Sequence, residues 1–106
     1  MPKKRRPPRA VWAQIRQQVW ERDGGYCQGP YCRDAAPIPL EQAHIDHHIP
    51  VSSGGSHALP NLRVLCRRCH ALRADRAHAG MIARALRDGI IPPDWRPLVW
   101  DDEECT

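Results

Sequence analysis

Phenylalanine is absent from this sequence, and the whole chain holds only two tyrosines and two methionines. A chain of 106 residues with so few large apolar side chains can bury only a modest core. We therefore expect one small domain that depends on a metal ion or on disulfides for stability. No apolar run approaches the roughly 20 residues of a membrane span, and no apolar segment follows the basic N-terminus as in a signal peptide. These absences predict a soluble, cytoplasmic protein that has no membrane partner.

Charge is distributed unevenly along the chain. The formal net charge is +4, with five positive charges in residues 1–9 and four negative charges in residues 101–104. A basic arm on a basic body suits a polyanion such as nucleic acid, although a disordered, solubilising tail gives the same pattern. The side chains of this arm that we expect to contact nucleic acid are Lys3, Lys4, Arg5 and Arg6.

Eleven prolines and seven glycines divide the chain into three parts. Residues 1–9 are predicted to be a basic flexible arm, because prolines at three of these positions oppose a helix. Residues 10–89 are predicted to form the folded domain. Residues 90–106 are predicted to be a Pro-rich extended tail with an acidic end, whose apolar side chains can pack back on the body.

Hydrophobic periodicity predicts the elements of the domain. An apolar stripe at helical spacing predicts an N-terminal helix that ends at "DGG"; its members are Val11, Trp12, Ile15, Val19 and Trp20. The segments "AHIDHHI" and "LRVLC" are predicted to be short antiparallel strands, separated by a loop rich in Ser and Gly. The Ala/Arg/Leu-rich segment from His70 to Gly89 is predicted to be helical.

Cysteines occur as two closely spaced pairs and one isolated residue. Four residues separate Cys27 from Cys32, and two separate Cys66 from Cys69. Two tight turns that each supply two thiolates are typical of a structural zinc site, and zinc binding supplies roughly 10–16 kcal/mol of folding free energy in small peptides. Buried free thiols or local disulfides are the alternative interpretation. Cys105 has no nearby partner in the sequence.

A zinc site closed by four thiolates has no open position for chemistry, so a catalytic metal must bind elsewhere. Histidines are concentrated in the segment "HIDHH". Alternation along a strand places Asp46 and His47 on opposite faces, unless a twist or bulge near Pro50 brings them together. His70 follows the last zinc cysteine directly, so Asp46 and His70 can converge on one divalent cation. His47 then remains as a general base.

The segment "IDHHIPVSSGGSHALPNLRVLCRRCHALR" closely resembles the HNH endonucleases. Their pattern of Asp-His, Ile-x-Pro, Gly-Gly, Asn-Leu and Leu-Cys-x-x-Cys-His appears here in order. The resemblance covers residues 10–75 and implies an α+β, ββα-metal (His-Me finger) fold with an N-terminal helix and a zinc knuckle. One departure is the four-residue gap between the first two cysteines, where two residues are commoner.

The resemblance also implies roles for individual residues. His47 corresponds to the general base, Asp46 and His70 to the ligands of a catalytic Mg²⁺, Mn²⁺ or similar ion, and Asn61 to the residue that braces the loop and orients the base. Cys27, Cys32, Cys66 and Cys69 correspond to the structural zinc ligands. The simpler alternatives are an exposed strand histidine at His47, a turn cap at Asp46, a turn former at Asn61, and a helix-start cap or a competing zinc ligand at His70. A slip of one residue would make His48 the base. His44 and His57 are weaker candidates for contacting phosphate or metal-bound water.

The implied function is metal-dependent hydrolysis of phosphodiester bonds in DNA, predicted to be double-stranded. The arginines around the site helix that we expect to contact phosphate are Arg67, Arg68, Arg73 and Arg76. A non-catalytic zinc module that binds nucleic acid would need the cysteines and arginines, and would not need Asp46, His47, Asn61 and His70 together. A nuclease subunit that is active only within a larger machine, such as phage packaging, is the second alternative.

Overall fold

The computed structural model describes residues 7–32, 36–74 and 79–101. The elements in chain order are helix α1 (Arg9–Arg22), strands β1 (His44–His47) and β2 (Leu62–Leu65), and helices α2 (Arg67–Leu72) and α3 (Ala79–Arg87). Two strands followed by a helix confirm the predicted α+β fold of the ββα-metal type. Several predicted positions lie outside the described residues: Lys3, Lys4, Arg5, Arg6, Arg76, Cys105 and the acidic end.

The two strands form an antiparallel pair with a continuous register. Asp46 lies opposite Arg63, and His47 lies opposite Leu62. All four residues of β2 are buried, because alternate side chains of this strand enter two different core clusters. Leu62 and Val64 pack towards α1, whereas Leu65 packs with α2 and the C-terminal residues. The pair of strands is therefore enclosed between layers of helix on both faces.

Helix α1 covers one face of the strands. Val19 is fully buried, and Trp12, Ile15 and Trp20 pack partly buried around it, whereas Val11 is 43% exposed. The helix ends as predicted at Gly24 and Gly25, which adopt positive φ angles. The end of α1 is fastened to β2 because the backbone N–H of Val64 donates to Asp23 Oδ2 over 2.9 Å.

The helix predicted from His70 to Gly89 is divided in the structure. Helix α2 already begins at Arg67, with Cys66 as its N-cap, and it ends at Leu72. Arg73 then adopts an extended backbone and forms a parallel bridge with Trp100. A helix that continued through Arg73 could not make this pairing, so tertiary contact with the C-terminal segment overrides the local helix propensity.

The C-terminal segment packs onto the domain, as the sequence suggested it could. Ile91 and Trp100 are 3% and 5% exposed and belong to the core cluster that contains Leu65, Cys69 and Leu72. The backbone N–H of Trp100 donates to Leu72, and the N–H of Ala74 donates back to Trp100. Within the three described ranges, none of the helices has the length and apolar character required to cross a bilayer.

Candidate active site

Asp46 is a carboxylate enclosed by positive charge. Its side chain is 4% exposed and lies on the β1 face that is turned towards α2. Oδ2 accepts hydrogen bonds from Arg63 Nε at 3.0 Å and Arg63 Nη2 at 2.9 Å, while Arg73 Nε lies 3.6 Å away. Oδ1 faces in another direction, 3.7 Å from His70 Nε2. The two oxygens therefore have separate surroundings, one held by guanidinium groups and one directed at an imidazole.

His70 is positioned by the cysteine turn that precedes it. Its backbone N–H donates to the Cys66 carbonyl over 2.9 Å, inside the first turn of α2. Its two ring nitrogens have different neighbours, because Nδ1 lies 2.8 Å from His44 Nδ1 while Nε2 faces Asp46 Oδ1. The two imidazoles meet edge to face, with centroids 5.0 Å apart. His44, expected at phosphate or metal-bound water, thus contacts His70.

A surface cavity of about 380 Å³ gives access to this group. Its lining includes His44, His70 and Met81 on one side, and Trp12 and Arg16 of α1 on the other. Arg16 is fixed by hydrogen bonds from Nη2 to the carbonyls at residues 40 and 43, at 3.0 and 2.8 Å. A cationic side chain and a partly exposed histidine consequently meet at one opening.

His47 lies on the opposite face of β1, since the register between the strands passes through it without a bulge. Its Nε2 is 2.9 Å from His57 Nδ1, and its ring is parallel to that of Trp12, with a centroid distance of 6.1 Å and an interplanar angle of 3°. Trp12 also lines the cavity next to His70. The indole therefore borders both the cavity and the face of β1 that carries His47.

Asn61 braces the loop that joins the strands. Its side-chain nitrogen donates to the carbonyls of Ile49 at 3.0 Å and Ser56 at 2.9 Å, and its Oδ1 accepts from the Ile49 N–H at 2.9 Å. A Cβ on Gly55 would lie 1.7 Å from the Ile49 carbonyl oxygen and 3.0 Å from Asn61 Nδ2. Glycine at position 55 is thus needed for the close approach that lets Asn61 reach both carbonyls. His48, the alternative base, has an exposed side chain just beyond β1.

The cysteines form one cluster beside the hairpin. The sulfur atoms of Cys27, Cys32 and Cys66 all lie within 4.8 Å of one another, and Cys69 is in hydrogen-bond contact with Cys27 and Cys66. Sulfur ligands of one zinc ion lie about 3.8 Å apart in a tetrahedron. The cluster is therefore compatible with a zinc site.

Backbone amides are directed at the cysteine sulfurs. Cys27 Sγ accepts from the N–H groups of Gly29 at 3.3 Å and Cys66 at 3.1 Å. Cys69 Sγ accepts from Tyr31 N–H at 3.2 Å, and Cys66 Sγ accepts from Cys69 N–H at 3.4 Å. A Cβ on Gly29 would lie 2.6 Å from Cys69 Cβ. The four-residue gap between the first two cysteines is thus folded tightly around the second pair.

The crowded sulfurs perturb one another's ionisation. A hydrogen bond with Cys27, and a second with Cys69, lower the pKa of Cys66 to about 2. The reciprocal contact with Cys66 raises the pKa of Cys27 to about 11. Hydrogen bonds with Cys27 and Cys66, together with burial, raise the pKa of Cys69. One thiolate among three close sulfurs thus holds the others in their protonated form, whereas a divalent cation favours thiolate at each ligand.

The three described arginines of the predicted phosphate-binding set have mostly structural partners. Arg73 is 4% exposed and donates from Nη2 to the His48 carbonyl, so its burial does not favour a phosphate contact. Arg68 donates from Nε to the Ile90 carbonyl over 3.0 Å. Arg67 forms an ion pair with Asp88, whose pKa is lowered first by Arg87 and then by Arg67.

Sequence reasoning missed the residues that hold Asp46. Arg63 and Arg73 place their guanidinium groups 5.0 and 5.6 Å from the ring centroid of Trp100. Trp100 Nε1 donates to the Cys69 carbonyl over 2.8 Å, which ties this indole to the cysteine turn. The position of Arg63 could have been found from the register of the antiparallel strands. No local signal points to Arg73 or Trp100.

Comparison with known proteins identifies the family of the central segment. Residues 27–76 match the HNH endonuclease family. The match confirms the resemblance over this range, whereas residues 10–26 lie outside it. No curated protein and no solved structure matches the chain significantly. The matched residues contain both strands, α2, the cysteine cluster and the Asp46–His70 pair, while α1 and the segment ending at Trp100 lie outside them. The chain therefore carries an HNH endonuclease domain over residues 27–76.

Proposed function

We propose that this chain is a DNA endonuclease that hydrolyses phosphodiester bonds with a divalent cation held by Asp46 and His70 and with His47 as general base. Membership of residues 27–76 in the HNH endonuclease family implies a nuclease-type function. The observation that carries the finer assignment is the approach of Asp46 Oδ1 to His70 Nε2, 3.7 Å apart, from separate elements of the fold.

The donor set fits a divalent cation. One carboxylate oxygen and one imidazole nitrogen suit Mg²⁺ or Mn²⁺, with water and substrate phosphate completing the shell. Arg63 holds Oδ2 of Asp46, so Oδ1 keeps its direction towards His70. When bound, the cation supplies positive charge that stabilises the phosphoryl transition state and the leaving oxygen.

His44 supports this role of His70. A ring nitrogen that donates a hydrogen bond fixes the imidazole tautomer and leaves the other nitrogen as a ligand. If His70 Nδ1–H donates to His44 Nδ1 over the observed 2.8 Å, His70 Nε2 carries the lone pair that faces Asp46. The proposed metal binding through Nε2 requires this tautomer, in which His70 is the donor of the contact.

His47 acts on the attacking water. A neutral imidazole offers one unprotonated ring nitrogen that can accept a proton. The water oxygen forms a new bond to phosphorus while the bond from phosphorus to the 3′ oxygen breaks, and the water proton passes to His47. The departing 3′ oxygen takes a proton from solvent. General-base assistance contributes roughly 10²–10⁴-fold to the rate.

The cysteine cluster serves the site as a structural zinc centre in this proposal. Cys27, Cys32, Cys66 and Cys69 would hold zinc, and Cys66 also caps α2. His70 lies one turn beyond that cap, so zinc binding would fix the helix end that carries the catalytic ligand. This coupling lets a chain with a small core hold His70 against Asp46.

Double-stranded DNA is the proposed substrate. Arg16 lines the cavity beside His70, and the chain is basic overall. Contacts to phosphate bind DNA regardless of its base sequence, and so small a chain has little surface for reading bases. The proposal therefore predicts weak sequence preference and binding that weakens steeply as salt concentration rises.

A plasmid-nicking assay tests this function. The zinc-loaded protein is incubated with supercoiled plasmid in Mg²⁺ or Mn²⁺, or in EDTA at a concentration that leaves the zinc bound. We expect cleavage only with added cation, and a loss of roughly 10²-fold or more in His47→Ala. The matched control is His48→Ala, which changes the exposed neighbouring histidine and should cleave normally.

Other results would assign a different function. DNA binding without cleavage by the zinc-loaded protein in every cation would favour a non-catalytic zinc module. Cleavage that requires an added partner protein would favour a nuclease subunit of a larger complex. Loss of cleavage in His48→Ala, with cleavage retained in His47→Ala, would assign the general base to His48.

A further inference from the structure

A second histidine contacts the proposed base. His57 Nδ1 lies 2.9 Å from His47 Nε2, and the rings meet edge to face with centroids 5.1 Å apart and an interplanar angle of 68°. His57 belongs to the loop between the strands and is half-buried. Neither the family pattern nor the spacing in the sequence assigns a role in orienting the base to this histidine.

The pair is held on both sides. Trp12 stacks on His47. The Trp12 ring also packs edge to face against the His57 ring, with centroids 5.7 Å apart. On the loop side, Asn61 Nδ2 donates to the carbonyl of Ser56, the residue just before His57. A stacked indole limits rotation of one ring, and a fixed peptide limits movement of the other. The geometry of the pair is thus determined by α1 and by the braced loop together.

The chemistry of a bond between two imidazoles allows only two arrangements when both rings are neutral. One nitrogen must carry the hydrogen and the other must offer a lone pair. If His57 Nδ1 donates, the lone pair of His47 at Nε2 is consumed, and its proton resides on Nδ1. If His47 Nε2 donates, its Nδ1 is unprotonated and can accept a proton. Only the second arrangement leaves His47 able to serve as a base.

We propose that His57 is a positioning residue that holds His47 in the tautomer protonated at Nε2, so that Nδ1 of His47 receives the proton of the attacking water. This inference rests on the proposed function, because it assumes that His47 is the base. It also gives Asn61 a physical route to the base, since Asn61 fixes the peptide that carries His57. Trp12, which lies outside the family match, stacks on the His47 ring and limits its rotation.

Two substitutions at one position separate positioning from packing. In His57→Asn, the amide oxygen replaces Nδ1 as an acceptor for His47 Nε2–H. In His57→Leu, similar bulk remains without any acceptor. We expect kcat to fall about 10- to 100-fold in His57→Leu, with KM, zinc content and Tm unchanged, as is typical when an orienting partner is removed. His57→Asn should recover most of the lost kcat, and His48→Leu is the control.

Imidazole ¹⁵N chemical shifts provide a readout that does not depend on cleavage. In zinc-loaded wild-type protein with Mg²⁺ and at a pH where the imidazoles are neutral, we expect His47 to show the pattern of the Nε2–H tautomer. The same pattern should persist in His57→Asn and give way to a mixture of tautomers in His57→Leu. An Nδ1–H pattern for His47 in the wild type would overturn the inference.

The kinetic outcomes distinguish this inference from the proposed function. Cleavage by the wild type together with an unchanged kcat in His57→Leu would overturn the role of His57 alone. A His57→Asn variant as inactive as His47→Ala would show that His57 itself moves the proton, which also overturns the positioning role. Full cleavage by His47→Ala would remove His47 as the base and would overturn the proposed function and this inference together.

Discussion

Asp46 and Arg63 face each other across the two strands and share two hydrogen bonds, of 3.0 and 2.9 Å, on the same carboxylate oxygen. Both residues are almost fully buried, at 4% and 5% exposure. The ion pair leaves the other carboxylate oxygen directed at His70. A structural contact and the proposed metal contact therefore share one carboxylate.

Replacing Arg63 with methionine should strongly destabilise the fold. The substitution keeps much of the side-chain volume and leaves the Asp46 carboxylate buried without its main partner. Breaking a buried ion pair from one side costs about 3–5 kcal/mol, and the nearby Arg73 reduces that loss. Urea denaturation of zinc-loaded protein should show a lower free energy of unfolding in Arg63→Met.

The double variant Asp46→Asn/Arg63→Met provides the control for this prediction. Because neither charge remains, we expect the double variant to be more stable than the sum of the two single losses implies. Strictly additive losses would contradict an energetic coupling between Asp46 and Arg63.

Trp100 should affect the cation site although it lies outside the family match. Its indole packs against the guanidinium groups of Arg63 and Arg73, so Trp100→Leu should loosen both of them. We expect lower stability and weaker Mn²⁺ binding at a constant zinc content, measured by calorimetry. The matched control is Trp95→Leu, since Trp95 packs in the same core region and stacks with Arg96. Equal effects of the two variants on Mn²⁺ affinity would contradict this role.

The loop brace depends on a glycine that has no room for a side chain. Gly55→Ala would place a methyl group 1.7 Å from the Ile49 carbonyl oxygen, so the loop must move and Asn61 must lose part of its bonding. Each hydrogen bond lost from this exposed loop costs about 0.5–1.5 kcal/mol. We expect a lower Tm and slower cleavage in this variant.

Gly80→Ala is the matched control for Gly55→Ala. No atom lies within 4 Å of a Cβ at this position of α3, and alanine favours a helix by roughly 1 kcal/mol over glycine. We therefore expect Gly80→Ala to be neutral or stabilising, with normal cleavage. A similar loss of Tm in both variants would show that the Gly55 effect is not specific to the loop.

Zinc binding should release protons and strengthen as pH rises. The pKa of Cys27 is raised to about 11 and that of Cys69 is also raised, so both thiols are protonated in the metal-free protein at neutral pH. Cys66, with its pKa lowered to about 2, is already a thiolate. Zinc must displace the protons from Cys27 and Cys69, and the competition from protons grows as pH falls.

Calorimetric titrations in two buffers of different ionisation enthalpy measure this release. We expect at least about two protons per zinc near neutral pH, and an affinity for zinc that decreases towards acidic pH. Zinc binding without proton release, or with an affinity that is independent of pH, would contradict the account of the cysteine cluster.

Local sequence features predicted much of the architecture and little of the support around the site. The short segments "AHIDHHI" and "LRVLC", separated by turn-forming residues, are a short-range signal, and they identified both strands and their antiparallel arrangement. The spacing of the cysteines predicted the turn that carries His70. By contrast, the break in the helix at Arg73 arises from pairing with Trp100, which is 27 residues away in the chain. Such a contact leaves no periodic signal in either segment.

The pairing of histidines was likewise out of reach from the sequence. His44 and His70, or His47 and His57, meet only after the strands, the loop and α2 are assembled. The sequence suggested a role for His44 and His57 at phosphate or at metal-bound water. The structure instead places each of them against a ring that the proposal uses for chemistry.

Anomalous diffraction from crystals of the zinc-loaded protein grown with Mn²⁺ tests the central claim most directly. We expect two separate peaks, with zinc among Cys27, Cys32, Cys66 and Cys69, and manganese coordinated by Asp46 Oδ1 and His70 Nε2. A manganese peak bound by other residues, or zinc in its cysteine site with Asp46 and His70 turned away from a shared ion, would contradict it.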